Sequence, residues 1–135
     1  MVLEVSSLPD FTKIKELRVG SKGINVRVRI LELFEPRSVF SRHTGERHTV
    51  REALVGDDTG VILLTLWNDD INKVEIGKTY DLLNVNTSVF RNSLRLGVGR
   101  KGKIIESENE ISAEEVNTEN NVSEKVVSAP RKRWY

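Results

Sequence analysis

The clearest periodicity begins at Ile24. Ile24, Val26, Val28 and Ile30 alternate with Asn25, Arg27 and Arg29, the two-residue period of a strand with one buried face. The run is expected to reach about Glu35, where Pro36 ends it. Three further strands are predicted over 47–56, 61–67 and 79–86, and a fifth over 93–99 that continues weakly to Ile105. Turn residues separate them: Asp57-Asp58-Thr59-Gly60, a short connection with helical character over 68–74, Gly77-Lys78, and a polar hairpin at about 87–92. The stretch 37–46 is polar and reads as a loop with Gly45 turning it. Ahead of the first strand, Leu8, Phe11, Ile14 and Leu17 are spaced for a helical turn or two, which Asp10 would cap and Gly20 and Gly23 would end. In 61–67, Ile62, Leu64 and Leu66 are expected inside, leaving Val61, Leu63, Thr65 and Trp67 outside.

Five short strands with one insertion between the third and the fourth predict an all-β chain, an OB-fold Greek-key barrel over residues 1–105. A small sandwich or an SH3-like barrel would show similar spacing. Beyond Glu106 the pattern stops. Residues 106–130 carry many charges, no aromatic and few large apolar side chains, so they are expected to be disordered. The flexible tail 106–135 ends in Arg131-Lys132-Arg133-Trp134-Tyr135, a basic-aromatic tip suited to a protein partner. Its removal is expected to leave the barrel folded.

Composition narrows the chemistry. The 135 residues contain no cysteine, which excludes disulfides, zinc-cysteine sites and a thiol nucleophile. The formal net charge is +1, but it is unevenly spread. Residues 1–105 hold 17 Lys/Arg against 13 Asp/Glu, and residues 106–135 hold 4 against 7. A basic body points to a polyanion. The N-terminus lacks the basic start and apolar run of a signal peptide, and no stretch is long enough to span a membrane, so a soluble, cytoplasmic protein is expected.

Four stretches carry a family likeness: INVRVRILE (24–32), REALVGDDTG with VILLTLWND (51–69), IGKTYDLLNV (76–85) and SVFRNSLRLGVGRKGKI (88–104). The chain resembles the simple archaeal single-stranded DNA-binding proteins, with one OB domain of the replication protein A type and a flexible tail. The resemblance implies sequence-independent binding of single-stranded DNA in replication, repair or recombination, no catalytic activity and no cofactor. It implies base-stacking aromatics at Trp67 and Phe90, and a third where this chain has Asn86.

The residues themselves offer a matching surface. An outward Trp67 presents a flat platform to any base, although it would equally serve as an end-plug of the core. Phe90 lies among polar turn residues beside Arg91, placed either for a base and a phosphate or as a clip closing the hairpin. Arg95 alternates with inward Leu94 and Leu96 and should face out with Thr65. Gly97 shares that face, where its missing side chain either lets a strand lie close or bends the barrel. The 37–47 segment interleaves Arg37, Phe40, Arg42, His43 and Arg47, which suits a phosphate backbone with exposed bases or, equally, a solvated hairpin tip. His43 and His48 lack the partners of a metal site. Gly97 to Gly102 matches G-x-G-x-x-G but precedes no βαβ helix, and Asn86 and Asn121 begin sequons without a secretion signal. The acidic pairs Asp57/Asp58 and Asp69/Asp70 read as turn and cap residues. Two other functions stay open at this point. RNA would use the same stacking platforms. An interaction subunit of a larger complex would use the outward Val61 and Leu63.

Overall fold

The computed structural model describes residues 10–124, in which seven strands appear: β1 (Ile24–Leu33), β2 (Arg37–Phe40), β3 (Arg47–Asp57), β4 (Gly60–Trp67), β5 (Thr79–Phe90), β6 (Ser93–Gly97) and β7 (Lys103–Glu106). The five strands read from alternation are β1, β3, β4, β5 and β6. They pair in the circuit β1–β3–β4–β6–β5 and close through β1–β5. Only β4 and β6 run parallel; the other pairs are antiparallel. This is the OB-fold order. Ile62, Leu64 and Leu66 of β4 are fully buried with Val26, Val28, Ile30, Leu82 and Leu96, as their alternation requires. The lead-in forms a 3-10 turn over Ile14–Glu16 that plugs the barrel with Ile14 and Leu17. Residues 68–73 form a second such turn.

Two expectations need correction. The stretch 37–46 is not all loop: Arg37–Phe40 is a strand paired to Arg47–Val50, and the turn is confined to 41–46. β2 and β3 therefore form a two-stranded ribbon. The polar side chains conceal a strand because the ribbon's pairing is made by backbone groups.

The second correction concerns the tail. Residues 107–124 are packed rather than disordered. Val116 and Val122 are each 8% exposed and Ser123 is 6% exposed. Val116 lies against Val61 and Gly56. The Val61 N–H donates to the Asn120 carbonyl at 2.9 Å, and the Leu63 N–H to Ser123 Oγ at 2.9 Å. Ser123 Oγ in turn donates to the Leu94 carbonyl. Upstream, Ile111 N–H donates to Thr79 Oγ1, and Arg29 donates to the Ile111 carbonyl. The segment covers the Val61 end of the outer face of β4. Composition hid this, because polar side chains and backbone groups supply the anchoring while two valines suffice for the apolar contact. The basic-aromatic tip, Arg131 to Tyr135, lies outside the described residues.

Where β3 turns into β4, the Asp57 carboxylate is 2% exposed. It accepts hydrogen bonds from the Ile14 N–H (3.0 Å), the Thr59 N–H and hydroxyl (2.8 and 2.6 Å) and the Gly60 N–H (3.2 Å). Its backbone carbonyl accepts from the Asn117 N–H. Beside it Lys13 and Asp58 pair at 2.8 Å, a contact that raises the Lys13 ammonium and lowers the Asp58 carboxyl from their ordinary values. Among the described residues, no helix is long and apolar enough to cross a membrane.

The covering segment is tested by two substitutions. A methyl group added at Gly60 would lie 2.7 Å from the Asn120 carbonyl oxygen. Gly60→Ala should therefore lower stability in the full chain. Val122→Ala, which removes two buried carbons, should cost about 1.5 kcal/mol. Equilibrium denaturation reads both, and unchanged midpoints would show that residues 107–124 do not pack.

Candidate nucleic-acid interface

Strand register decides which side chains share the outer face. β4 places Val50 opposite Trp67 and Glu52 opposite Thr65. Across β6, Thr65 neighbours Gly97 and Leu63 neighbours Arg95. Across β5, Gly97 faces Asn86 and Arg95 faces Ser88. On the other side Arg37 pairs with Val50. The result is one continuous outer surface over five strands, β2–β3–β4–β6–β5. It forms a groove of about 380 Å³ between the β2–β3 ribbon and the β5–β6 hairpin. Arg37 and Val39 line one wall; Ser88, Val89 and Phe90 line the other. Glu52, Thr65, Trp67, Arg95 and Gly97 form the floor.

Trp67 is 44% exposed at the end of β4. The core is filled without it, so it is not an end-plug. His48 meets its ring edge-on, with centroids 6.3 Å apart. Asn68 holds this corner. It adopts a left-handed φ of 52°, accepts from the Thr49 N–H at 3.0 Å and contacts His48 Nδ1 through its amide nitrogen at 3.3 Å. An asparagine tolerates that backbone region better than most residues.

Phe90 is 46% exposed at the tip of the opposite hairpin. The turn is only two residues long. Arg91 and Asn92 both take positive φ, 52° and 63°, the twist that matches a two-residue hairpin. The guanidinium groups of Arg91 and Arg95 lie 5.1 and 5.3 Å from the Phe90 ring centroid. Both are within cation–π range. The aromatic thus carries positive charge at the rim of the groove.

Arg95 faces outward as its alternation predicts, yet it is not free. It is ion-paired with Glu52, and the two side chains are only 14% and 17% exposed. Arg95 Nε is buried with no hydrogen-bond partner among the described residues. Gly97 keeps an ordinary backbone conformation, and a Cβ there would meet nothing within 4 Å. Its bareness is open space in the floor, not a bend in the barrel.

The structure brings Trp67, Thr65, Phe90, Arg95 and Arg37 together, with Arg91 at the hairpin tip. It does not bring in the rest. Phe40 pairs with Arg47 one residue out of phase with Val39 and His48, so both belong to the far face of the ribbon. Arg42 and His43 sit in the exposed turn at its end. Asn86 does not replace a platform: its Oδ1 accepts from the Gly23 N–H at 3.1 Å and fastens the lead-in to β5. Val61 and Leu63 are not a free apolar strip. Val61 is 2% exposed under the C-terminal segment, and Leu63 is half-buried beside it. Sequence reading missed Val39, Val50, Glu52, Ser88 and Val89 as groove residues, and His48 as the edge-on neighbour of Trp67. Glu52 alternates with inward Ala53 in the predicted second strand, and that was the available signal.

A barrel of this strand order with an open aromatic groove is a binding fold, and the comparisons agree. The family model described as single-stranded DNA binding protein Ssb-like, OB fold, matches residues 17–107. The chain belongs to that family, which is non-enzymatic. It is 36% identical over 95 residues to the single-stranded DNA binding protein Ssb of Saccharolobus solfataricus, an alignment covering 70% of this chain and 63% of that protein. It therefore spans less than two thirds of that relative. An uncharacterized protein of Arabidopsis thaliana is 33% identical over 109 residues, covering 74% of this chain and 71% of its own. The solution structure of a hypothetical Arabidopsis thaliana protein matches with a TM-score of 0.72 at 28% identity, over 98% of this chain and 95% of that one.

The Glu52–Arg95 pair is open to a double-mutant cycle. Glu52→Ala and Arg95→Ala should each destabilise, and the double variant should lose less than the two effects added, with a coupling of about 0.5–3 kcal/mol. Strictly additive losses in urea denaturation would show the pair to be energetically idle.

Proposed function

We propose that the chain binds single-stranded DNA with little sequence preference, in replication, repair or recombination. The observation that carries this reading is the groove itself. An exposed tryptophan and an exposed phenylalanine stand on its two sides, with a bare glycine and guanidinium groups between them. Bases stack on Trp67 and Phe90, a contact that tolerates any base because every base has a π-face. Arg37 and Arg91 meet phosphates, while Arg95, paired with Glu52, stays in the floor between the two aromatics. Thr65 offers a hydroxyl on the floor, and Gly97 lets the strand lie against the sheet. The name of the Saccharolobus relative supports the same ligand class. The subunit reading loses its support, because the apolar strip that favoured it is covered by the chain's own C-terminal segment.

Single-stranded DNA should quench Trp67 fluorescence once Trp134 is replaced by phenylalanine. Trp67→Ala should weaken binding by about 1–3 kcal/mol with the fold intact. Wild-type affinity in a folded Trp67→Ala protein would sink the stacking model. RNA and duplex titrated alongside test the ligand class; duplex should bind far more weakly because its bases are not free to stack. Gly97→Val offers a separate check. It adds side-chain bulk where there is space, so melting should change little while strand affinity falls. Retained affinity would place the strand away from the groove floor.

A further inference from the structure

The groove floor ends at Gly97, and Gly97 faces Asn86 on β5. Two loops meet at that point. Loop 18–23 is held by the Asn86 bond to the Gly23 N–H, by the Ser21 N–H donating to Thr87 Oγ1 at 3.0 Å, and by Thr87 Oγ1 donating to the Arg18 carbonyl at 2.7 Å. Loop 98–102 packs against the same strand. Asn84 Nδ2 donates to the Lys101 carbonyl at 3.5 Å, and a Cβ on Gly99 would stand 3.4 Å from Asn86 Nδ2.

The glycines of the G-x-G-x-x-G match acquire a structural reason here. Gly99 adopts φ of 73°, and a side chain on Gly102 would collide with the Val98 carbonyl at 2.1 Å. The loop is therefore a tight reversal with Arg100 and Lys101 at its apex. Lys103 follows on β7, paired opposite Leu83. The opposing loop contributes Arg18 and Lys22.

All five of these cations are exposed. None forms a salt bridge among the described residues. Neither loop contains a carboxylate. The nearest in sequence are committed elsewhere: Glu16 accepts from the Lys13 N–H, and Glu106 lies 3.8 Å from Lys78 Nζ. The acidic residues after Glu106 belong to a segment whose hydrogen bonds go to Asp57, Thr59, Thr79 and β4, not to these loops.

We infer that Arg18, Lys22, Arg100, Lys101 and Lys103 form a second, purely electrostatic part of the strand-binding surface, onto which single-stranded DNA passes from the groove over Gly97 and Asn86. The inference rests on the strand-binding reading of the groove. The platform carries no aromatic, so it holds phosphates and leaves bases in solvent. Asn86 acquires a role different from stacking: it fastens loop 18–23 at the crossing point, and Asn84 two residues earlier fastens loop 98–102. The two parts divide the work. The groove determines affinity for short strands, and the platform determines how affinity grows with length and how steeply it falls with salt.

The test is a titration of full-length wild type and of Lys22→Ala/Arg100→Ala/Lys101→Ala with oligothymidylates of increasing length. Several salt concentrations are used, and the anisotropy of a fluorophore on the oligothymidylate is the readout. The wild type should gain affinity beyond the length that fills the groove, and the variant should lose most of that gain. Its salt slope on long strands should be shallower by about 2, from three lost phosphate contacts at about 0.7 each. Trp67→Ala should instead weaken short and long strands alike and leave the slope in place. A triple variant with wild-type length dependence and slope would overturn the platform while leaving the groove standing. Absence of strand binding by the wild type would remove the groove reading itself.

Discussion

The Asp57 carboxylate is the contact on which the architecture turns. A buried anion is tolerated only when donors surround it, and here the donors come from the lead-in and from the turn between β3 and β4. Its backbone carbonyl holds Asn117 of the C-terminal segment. Three pieces of chain far apart in sequence are thereby fixed against one point. The lead-in can then plug the barrel with Ile14, and the C-terminal segment can reach Val61. The β3–β4 turn, pinned in this way, sets the register that runs up both strands to Trp67.

That register is what makes an interface out of separate residues. With side chains alternating at a period of two, a slip of one position would put Trp67 inside and Leu66 outside. Because the register holds from Asp57↔Gly60 to Val50↔Trp67 without interruption, Ala53, Val55, Ile62, Leu64 and Leu66 all face inward. The other face carries every groove residue of β3 and β4. Glu52 illustrates the balance this requires. It neutralises Arg95 within the floor, while Arg91 and Arg37 at the rim form no salt bridge among the described residues.

The barrel was legible because alternation is a local property. Val26, Val28 and Ile30, or Leu64 and Leu66, declare their face within a few residues, and the turns at Asp57–Gly60 and Gly77-Lys78 are written in residue types that favour them. The exposure of Trp67 was legible for the same reason, and that of Phe90 from the polar residues around it. What escaped depends on pairing across the sheet. That Phe40 and Arg47 turn away from Trp67 follows from β2 being a strand at all, which four polar-flanked residues do not announce. That Arg95 meets Glu52 follows from the order β3–β4–β6, in which residues 43 apart in the chain become partners. Asn86 reads as a missing aromatic until the Gly23 N–H is seen beside it. The C-terminal segment escaped because its anchoring is polar. Low hydrophobicity predicts disorder only when burial must carry the stability alone.

The position of that segment also dictates an order of events during synthesis. β4 is made some sixty residues before Asn120 and Ser123, which satisfy its Val61 and Leu63 N–H groups. A nascent chain that has completed the barrel strands therefore still presents apolar side chains and unpaired strand donors at the Val61 end of β4. Such an edge invites pairing with another chain. The segment that follows the barrel strands closes it.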